Sequence, residues 1–392
     1  MFVRLTSIIA SVLALIVFCN LQCCAKPVPP IPSGMRIPDG TGTQISPPVL
    51  ELTGVPLIVS NSPETIKSIS SSAALYRTAI RSRHFRVFFH HLNATNGTLR
   101  IGVAITNPNS AGGPVNLFLE KNSQRLPTKN ENSVRSCPAE AGGIALKNWF
   151  LSGPGDHYLC TLKPGETRYI LQDVPRRYTV SGMYDFGIDT DKASGGKQQV
   201  YVTVLACRNL PPDPTVLHVL PMDKDNGRWH RRGTFLHSDR KGNVECDISN
   251  ITCLDIAGPN EGRFACLMKN EIEHAIGDKK GLNPGNYGVT YSFHITLRNP
   301  LPDAVRVQCV LNAAGGPGWS NLMVDGNYMD SGKPLPAYGS WVCKELKIAP
   351  KSTSDFDLEF SLPGGANGAH RLYFWPELGV AKNTVKTLDI QL

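Results

Sequence analysis

The chain has 392 residues, 41% of them apolar and 18% charged, with 36 glycines and 30 prolines. That length suits two or three cores of ordinary domain size, and the turn-former content falls well short of collagen-like or low-complexity bias, which leaves a globular protein of many short elements. A formal net charge of +8 with no basic run interleaved with aromatics excludes a nucleic-acid binder and suits contact with anionic envelope polymers or surfaces.

At the N-terminus, Arg4 precedes an apolar run from Ile8 to Cys19 and small residues ending at Ala25. The run is short for a membrane span and has the layout of a secretory signal peptide over residues 1–25, so the mature chain is expected to be exported and to lack a transmembrane span. Lipidation at Cys23 or Cys24 is the variant reading, although Leu21-Gln22 is a poor lead-in to such a site. Residues 26–66, proline-rich from Pro27 to Pro48, predict an extended linker.

Beyond the linker the sequence alternates with period two. Phe85–Leu92 and Thr98–Thr106 flank Asn96-Gly97, which predicts a β-hairpin. LRIGVAITNP from Leu99 sets Leu99, Ile101, Val103 and Ile105 on one face, and YSFHITLRNP from Tyr291 repeats the pattern with Tyr291, Phe293, Ile295 and Leu297, again ending in Asn-Pro. VNLFLEK (115–121) echoes AVRVQCVLN (304–312), GETRYILQDV (165–174) echoes STSDFDLEFSL (352–362), and QQVYVTVLA (198–206) is paired with AHRLYFW (369–375) as the last strand of each unit. The spacing predicts a mainly all-β chain of two tandem antiparallel β-sandwich (Ig-like) domains, 67–208 and 209–392, related by internal duplication. The proline-rich stretch 208–221 marks their boundary. One or two short helices are expected, over 139–151 and over 263–276, the second reading equally as the start of a strand.

The candidate sites are few. Along a strand, His84 and His90 lie six residues apart, roughly 20 Å, while the adjacent His90 and His91 point to opposite faces, so they read as hairpin members and not as metal ligands. Glu271 and His274 read as a solvated helix face. Asp325, Asn327 and Asp330 in DGNYMDSG carry the oxygen ligands that calcium prefers, though not at EF-hand spacing. Trp319 and Tyr328 are candidates for an aromatic sugar platform, weighed against the commoner role of an aromatic capping a sandwich end. Eight mature cysteines in an exported chain permit four disulfides, with Cys137–Cys160 and Cys309–Cys343 preferred because each pair falls inside one unit. No cofactor motif and no nucleophile signature such as GxSxG or SxxK occurs.

Several segments together resemble a family of poorly characterised secreted proteins, mostly from spore-forming bacteria: FRVFFHHLNATNGTLRIGVAITN (85–107), SGMYDFGIDT (181–190), RRGTF (231–235), NEIEHAIG (270–277), GNYGVTY (285–291) and FSLPGGAN (360–367). Some relatives carry an attached copper amine oxidase N-terminal-type module, which is absent here. The resemblance implies secretion and a β-rich, multi-module layout and transfers no catalytic residue. The tripeptides Asn286-Tyr287-Gly288 and Asn327-Tyr328-Met329 lack the acidic third residue of the quinone-forming motif, and the eight mature cysteines depart from the relatives, which have fewer.

The expectation is therefore a non-enzymatic, secreted or cell-surface β-sandwich protein that contacts an envelope polymer or a surface protein. The alternative is a carbohydrate-binding module or polysaccharide-active enzyme.

Overall fold

The structure, a computed structural model, describes residues 30, 33–108, 113–122, 133–153, 155, 157–190, 199–223, 231–257, 272–273, 283 and 285–378. In chain order the first elements are β1 (Thr43–Gln44), β2 (Glu51–Thr53), β3 (Leu57–Asn61), β4 (Thr65–Ile66), β5 (Ser72–Ile80), β6 (His84–Asn93), β7 (Leu99–Thr106), β8 (Val115–Asn122) and β9 (Val134–Arg135). Helix α1 (Pro138–Leu151) follows, then β10 (His157–Leu162), β11 (Thr167–Val174), β12 (Thr179–Thr190), β13 (Val200–Cys207), β14 (Arg231–Phe235), β15 (Asp239–Asp247) and β16 (Thr252–Ala257). The remainder are β17 (Ile272–Glu273), β18 (Thr290–Arg298), β19 (Val305–Asn312), β20 (Asn321–Val324), β21 (Asn327–Asp330), β22 (Ser340–Ile348), β23 (Thr353–Ser361) and β24 (His370–Glu377).

These strands make two sandwiches. In the first, a nine-stranded sheet along β10-β8-β12-β6-β3-β14-β17, with β4 and β9 at its side, packs on a four-stranded sheet β11-β7-β13-β5. Val87, Phe89, Tyr184 and Phe186 from one sheet meet Ile101, Val103, Val202 and Val204 from the other. In the second sandwich, β1-β16-β24-β19-β22 packs on β2-β15-β18-β23-β20-β21, and the alternating Tyr291, Phe293, Ile295 and Leu297 of β18 face Val307, Leu311, Leu372 and Phe374. The mainly all-β sandwich expectation holds, and alternation of apolar and polar residues along half-buried strands is its physical basis.

Four local expectations are corrected. First, Asn96-Gly97 does not close a hairpin: β6 pairs with β12, β3 and β4, while β7 pairs with β11 and β13 in the opposite sheet. The chain arches across the core because Asn93 turns it, its Nδ2 donating to the carbonyls of Gly97 and Val174 (both 2.8 Å) and its Oδ1 accepting from the Thr95 amide. Second, residues 26–66 are not a structureless linker: β3 is wholly buried inside the nine-stranded sheet, and β1 and β2 extend the sheets of the second sandwich. LIVSN contains no proline, and the prolines around it fall between strands. Third, β14, expected in the second unit, pairs with β3 of the first sandwich. Fourth, β13 and β24 do not correspond, since β13 lies between β7 and β5 whereas β24 lies beside β19, the place that β12 takes beside β8.

Helix α1 forms where expected. Pro138 sits in its first turn, and Ser152 closes it with a 2.8 Å bond from Oγ to the Trp149 carbonyl. It packs on β12 and also touches β20 and β21. A Cβ on Gly142 would meet the Gly364 carbonyl at 1.8 Å, and one on Gly143 would meet the Trp319 ring at 2.6 Å, so the paired glycines let the second sandwich's loops lie directly on the helix. The expected helix over 263–276 lies outside the described residues except Ile272–Glu273, which pair with Phe235 and Thr234 as β17. Among the described residues no helix is long and apolar enough to cross a membrane. The predicted signal peptide and Cys266 lie outside the described residues.

Candidate functional site

β6 and β12 are buried on both faces, which is why FRVFFHHL reads as a nearly continuous apolar run. Val87, Phe89 and His91 face the first sandwich's interior, and Arg86, Phe88 and His90 face the second sandwich. His91 Nε2 lies 3.0 Å from Ser60 Oγ and its Nδ1 2.8 Å from the Pro63 carbonyl. Burial, with the neighbouring charge of Arg232, pushes His91 down to about 4 despite those two bonds. His84, at the exposed end of the strand, holds Glu120 at 2.5 Å. The histidines thus serve three different environments.

Arg86 ties the two sandwiches together. Its Nε and Nη2 donate to the two carboxylate oxygens of Asp185 (2.7 and 3.1 Å), and its Nη1 reaches Asp239 Oδ1 at 2.8 Å and Thr290 Oγ1 at 3.0 Å in the second sandwich. Burial acts against its charge, but the two carboxylates outweigh burial and hold the guanidinium firmly ionised. The Trp149 ring of α1 covers it at 4.6 Å. Apolar packing is continuous across the junction, joining Leu57, Val59, Phe88, Met183, Phe235 and α1 to the second sandwich's core.

The sequence-derived loop candidates are placed as follows. Trp319 packs on Gly143 with its indole Nε1 sealed from solvent, and Tyr328 lies 6.3 Å from Phe150, its hydroxyl donating to Asp330 Oδ2 (2.8 Å) and accepting from Asn321 (2.6 Å). Both rings are engaged by the protein itself. Asp325 and Gly326 form the turn between β20 and β21, where the Asp325 carboxylate bonds Lys344 and accepts from the Asp357 amide at 3.0 Å. The Lys344 bond holds that carboxyl below its ordinary range. Asn327 donates to the Asp325 carbonyl (3.1 Å), and Asp330 accepts from Tyr328 and from the Gly332 amide (2.7 Å), so the three side chains do not converge. Among the described residues no three His, Cys, Asp or Glu side chains gather as a metal-binding group.

The expected disulfides are not formed: Cys137, Cys160, Cys309 and Cys343 are all free thiols. Cys309 and Cys343 are nevertheless neighbours on β19 and β22 at a register shift, where Cys343 Sγ lies 3.2 Å from the Cys309 carbonyl.

An open polar surface lies on the second sandwich. β15, β18 and β23 expose a ladder in register: Asp247, Arg298 and Thr353; then Glu245, Thr296 and Asp355; then Asn243, His294 and Asp357. Arg298 Nε bonds Asp247 Oδ1 at 2.5 Å and His294 Nδ1 lies 2.8 Å from Asp357 Oδ1, a bond that raises the exposed imidazole's pKa. A hollow of about 420 Å³ opens at the Asp247 end, lined by Glu245, Cys246, Asp247, Thr296, Arg298 and Thr353. Sequence reading did not single these residues out, because outward polar positions on an alternating strand look the same whether they face water or a ligand.

No protein-family model matches the chain, and no curated protein matches it significantly. Solved structures align only loosely. Lac15 from a marine microbial metagenome aligns at 11% identity and a TM-score of 0.13, covering 72% of this chain and 50% of that one. Dimeric latent PorU from Porphyromonas gingivalis aligns at 10% identity and a TM-score of 0.17, covering 88% and 22%. The tandem CBM22 domains of Paenibacillus barcinonensis Xyn10C align at 8% identity and a TM-score of 0.12, covering 73% and 74%. The chain thus spans half the length of the first of these and less than a quarter of the second, and scores this low carry no functional argument.

Proposed function

We propose that the protein is an exported, non-catalytic binding protein that engages a polar polymer of the cell envelope through the open face of β15, β18 and β23. The observation that carries this reading is the hollow of about 420 Å³ on that face, lined by hydroxyl, carboxylate and guanidinium groups in register. Such a lining supplies both donors and acceptors to a hydroxylated chain lying across the strands. The signal-like residues 1–25 support export, and the modest positive charge suits an anionic envelope.

The experiment is retention of the purified mature chain on peptidoglycan sacculi and on insoluble polysaccharides. The unmodified protein should be retained, and Asp247→Ala with Arg298→Ala, both on the exposed face, should weaken retention by about tenfold or more. Equal retention of the double variant, or no retention of the parent on any of these polymers, overturns the proposal.

A further inference from the structure

A second feature, separate from the open face, lies inside the junction. β12, β6, β3 and β14 are consecutive neighbours in the nine-stranded sheet, and their register places Ser181 opposite His90 and Arg231 opposite Asn61. The β3–β6 register, Leu57 with Arg86 and Val59 with Phe88, carries on by one step of two to bring Asn61 beside His90. Four polar side chains from four strands therefore form one row on the sheet face that looks toward the second sandwich, and they are 1%, 1%, 2% and 9% exposed from Ser181 to Arg231.

The row is short of partners. His90 Nδ1, Asn61 Oδ1 and Arg231 Nε are sealed from solvent without a hydrogen bond, and the Arg231 guanidinium bonds no described residue. The guanidinium lies over the Tyr287 ring, 4.3 Å away. Other buried arginines set the standard within the same molecule. Arg86 meets two carboxylates, Arg371 meets Asp255 and Asp39, and Arg232 donates to the carbonyls of Ser62, Leu75 and Leu220. Among these four, Arg231 has neither an ion-paired carboxylate nor a hydrogen-bond acceptor among the described residues, and its Nε is sealed from solvent. A ring face returns only a fraction of what burying a guanidinium costs.

The second sandwich packs closely over the row. Gly364 covers the Ser181 end so closely that a Cβ there would meet His90 Nδ1 at 2.4 Å and Ser181 Oγ at 2.9 Å. Tyr287 is fixed by its hydroxyl on the Ala366 carbonyl and by the Phe88 ring at 5.9 Å. Adjacent strands run roughly 4.8 Å apart, so His90 and Arg231 are about 10 Å apart at Cα with Asn61 between them, a gap that the long arginine side chain narrows. Three of the side chains can donate, the guanidinium through its fork, Asn61 once its amide is turned and the neutral imidazole through one nitrogen, while the Ser181 hydroxyl already donates to the Phe89 carbonyl at 3.4 Å. The imidazole is neutral, because burial first, with His91 and Arg231 after it, pushes His90 down to about 3.

We propose that the Ser181–His90–Asn61–Arg231 row is a binding site for a small oxyanion, carboxylate or phosphate in type, clasped between the two sandwiches with Arg231 as its counter-charge. An anion there would be bonded by residues of the first sandwich and enclosed by Gly364 and Tyr287 of the second, so its binding would also strengthen the junction.

The test uses the full mature chain. Melting temperature and calorimetric titration are followed with sodium phosphate and sodium acetate against sodium chloride at matched ionic strength, for the parent and for Arg231→Met. Saturable stabilisation of the parent by phosphate or acetate, with affinity about tenfold or more weaker in Arg231→Met, is expected. Crystals of the parent soaked in selenate should show an anomalous peak over Asn61 between His90 and Arg231, a result that does not depend on the variant folding. No saturable response together with no selenate peak overturns the assignment. So does equal affinity in Arg231→Met, or stabilisation by chloride as strong as by phosphate.

Discussion

Acid should unfold this protein through three buried imidazoles. His90, His91 and His370 are 1%, 0% and 0% exposed, and burial pushes them down to about 3, 4 and 4. His370 is the plainest case, with both ring nitrogens sealed and unbonded and the Phe360 ring 5.2 Å away. In the unfolded chain each would titrate near 6.5. Above that value both states are neutral and the groups leave stability unchanged. Below it the unfolded chain takes up protons that the folded one refuses, so stability falls from about pH 6.5 down toward the folded values of about 4 and about 3. At pH 5 each imidazole costs about 2 kcal/mol by this linkage, and the three together about 6 kcal/mol, a large part of the roughly 5–15 kcal/mol of a typical domain. His294 acts in the opposite sense, because its bond to Asp357 raises it and so favours the folded state below 6.5, but it is fully exposed and offsets little. Urea denaturation at pH 7, 6 and 5 measures the slope directly. His370→Leu should reduce proton uptake on unfolding at pH 5 by about one while leaving stability at pH 7 equal or higher, since two unbonded nitrogens are removed from an apolar site. An unfolding free energy at pH 5 within about 1 kcal/mol of the pH 7 value would refute the assignment of these histidines as buried and neutral.

Two further outcomes follow from the junction. Arg86→Met strands Asp185 and Asp239 without their shared cation and should cost about 3–5 kcal/mol, with calorimetry resolving two transitions where the parent shows one; a single unshifted transition would show that the ion pairs do not couple the sandwiches. Gly142→Ala should destabilise by about 1–3 kcal/mol in chemical denaturation, because its Cβ meets the Gly364 backbone at 1.8 Å, whereas Gly153→Ala, with nothing within 4 Å but a φ of +61°, should cost less.

What the sequence discloses, and what it withholds, follows from the range of the interactions. β18 and β23 are legible because each hides one face and wets the other, so Tyr291, Phe293 and Ile295 announce their sheet directly. Helix α1 is legible from its own composition. β6 is less so, since burial on both faces erases the alternation, and the Asn-Gly that would signal a hairpin sits instead in an arch fixed by Asn93 hydrogen bonds to a carbonyl of β11, at Val174. β3 and β14 join a sheet whose other members lie far along the chain, and no local pattern encodes that choice. Nor does any pattern link Asn61, His90, Ser181 and Arg231. The usable signal is a hydrogen-bonding residue inside an otherwise apolar strand, which FFHH and LIVSN both carry, but it marks a buried polar group without naming its neighbours.

The adjacent His90 and His91 show what that sheet geometry accomplishes. Period-two alternation sends His91 into the first sandwich, where Ser60 and Pro63 meet both of its nitrogens, and sends His90 into the junction, where Nδ1 finds no hydrogen-bond partner. The same face carries Arg86 two steps of alternation away from His90, fully matched by Asp185 and Asp239, with the apolar row of Met183, Phe88 and Val59 between. One buried surface therefore holds a neutralised cationic row and an unneutralised one, separated by a greasy stripe. If both rows served only to hold the sandwiches together, a carboxylate opposite Arg231 would do for that row what Asp239 does for Arg86. A cation with no carboxylate paired to it among the described residues, beside a neighbour matched twice, is the arrangement that a site for an external anion requires.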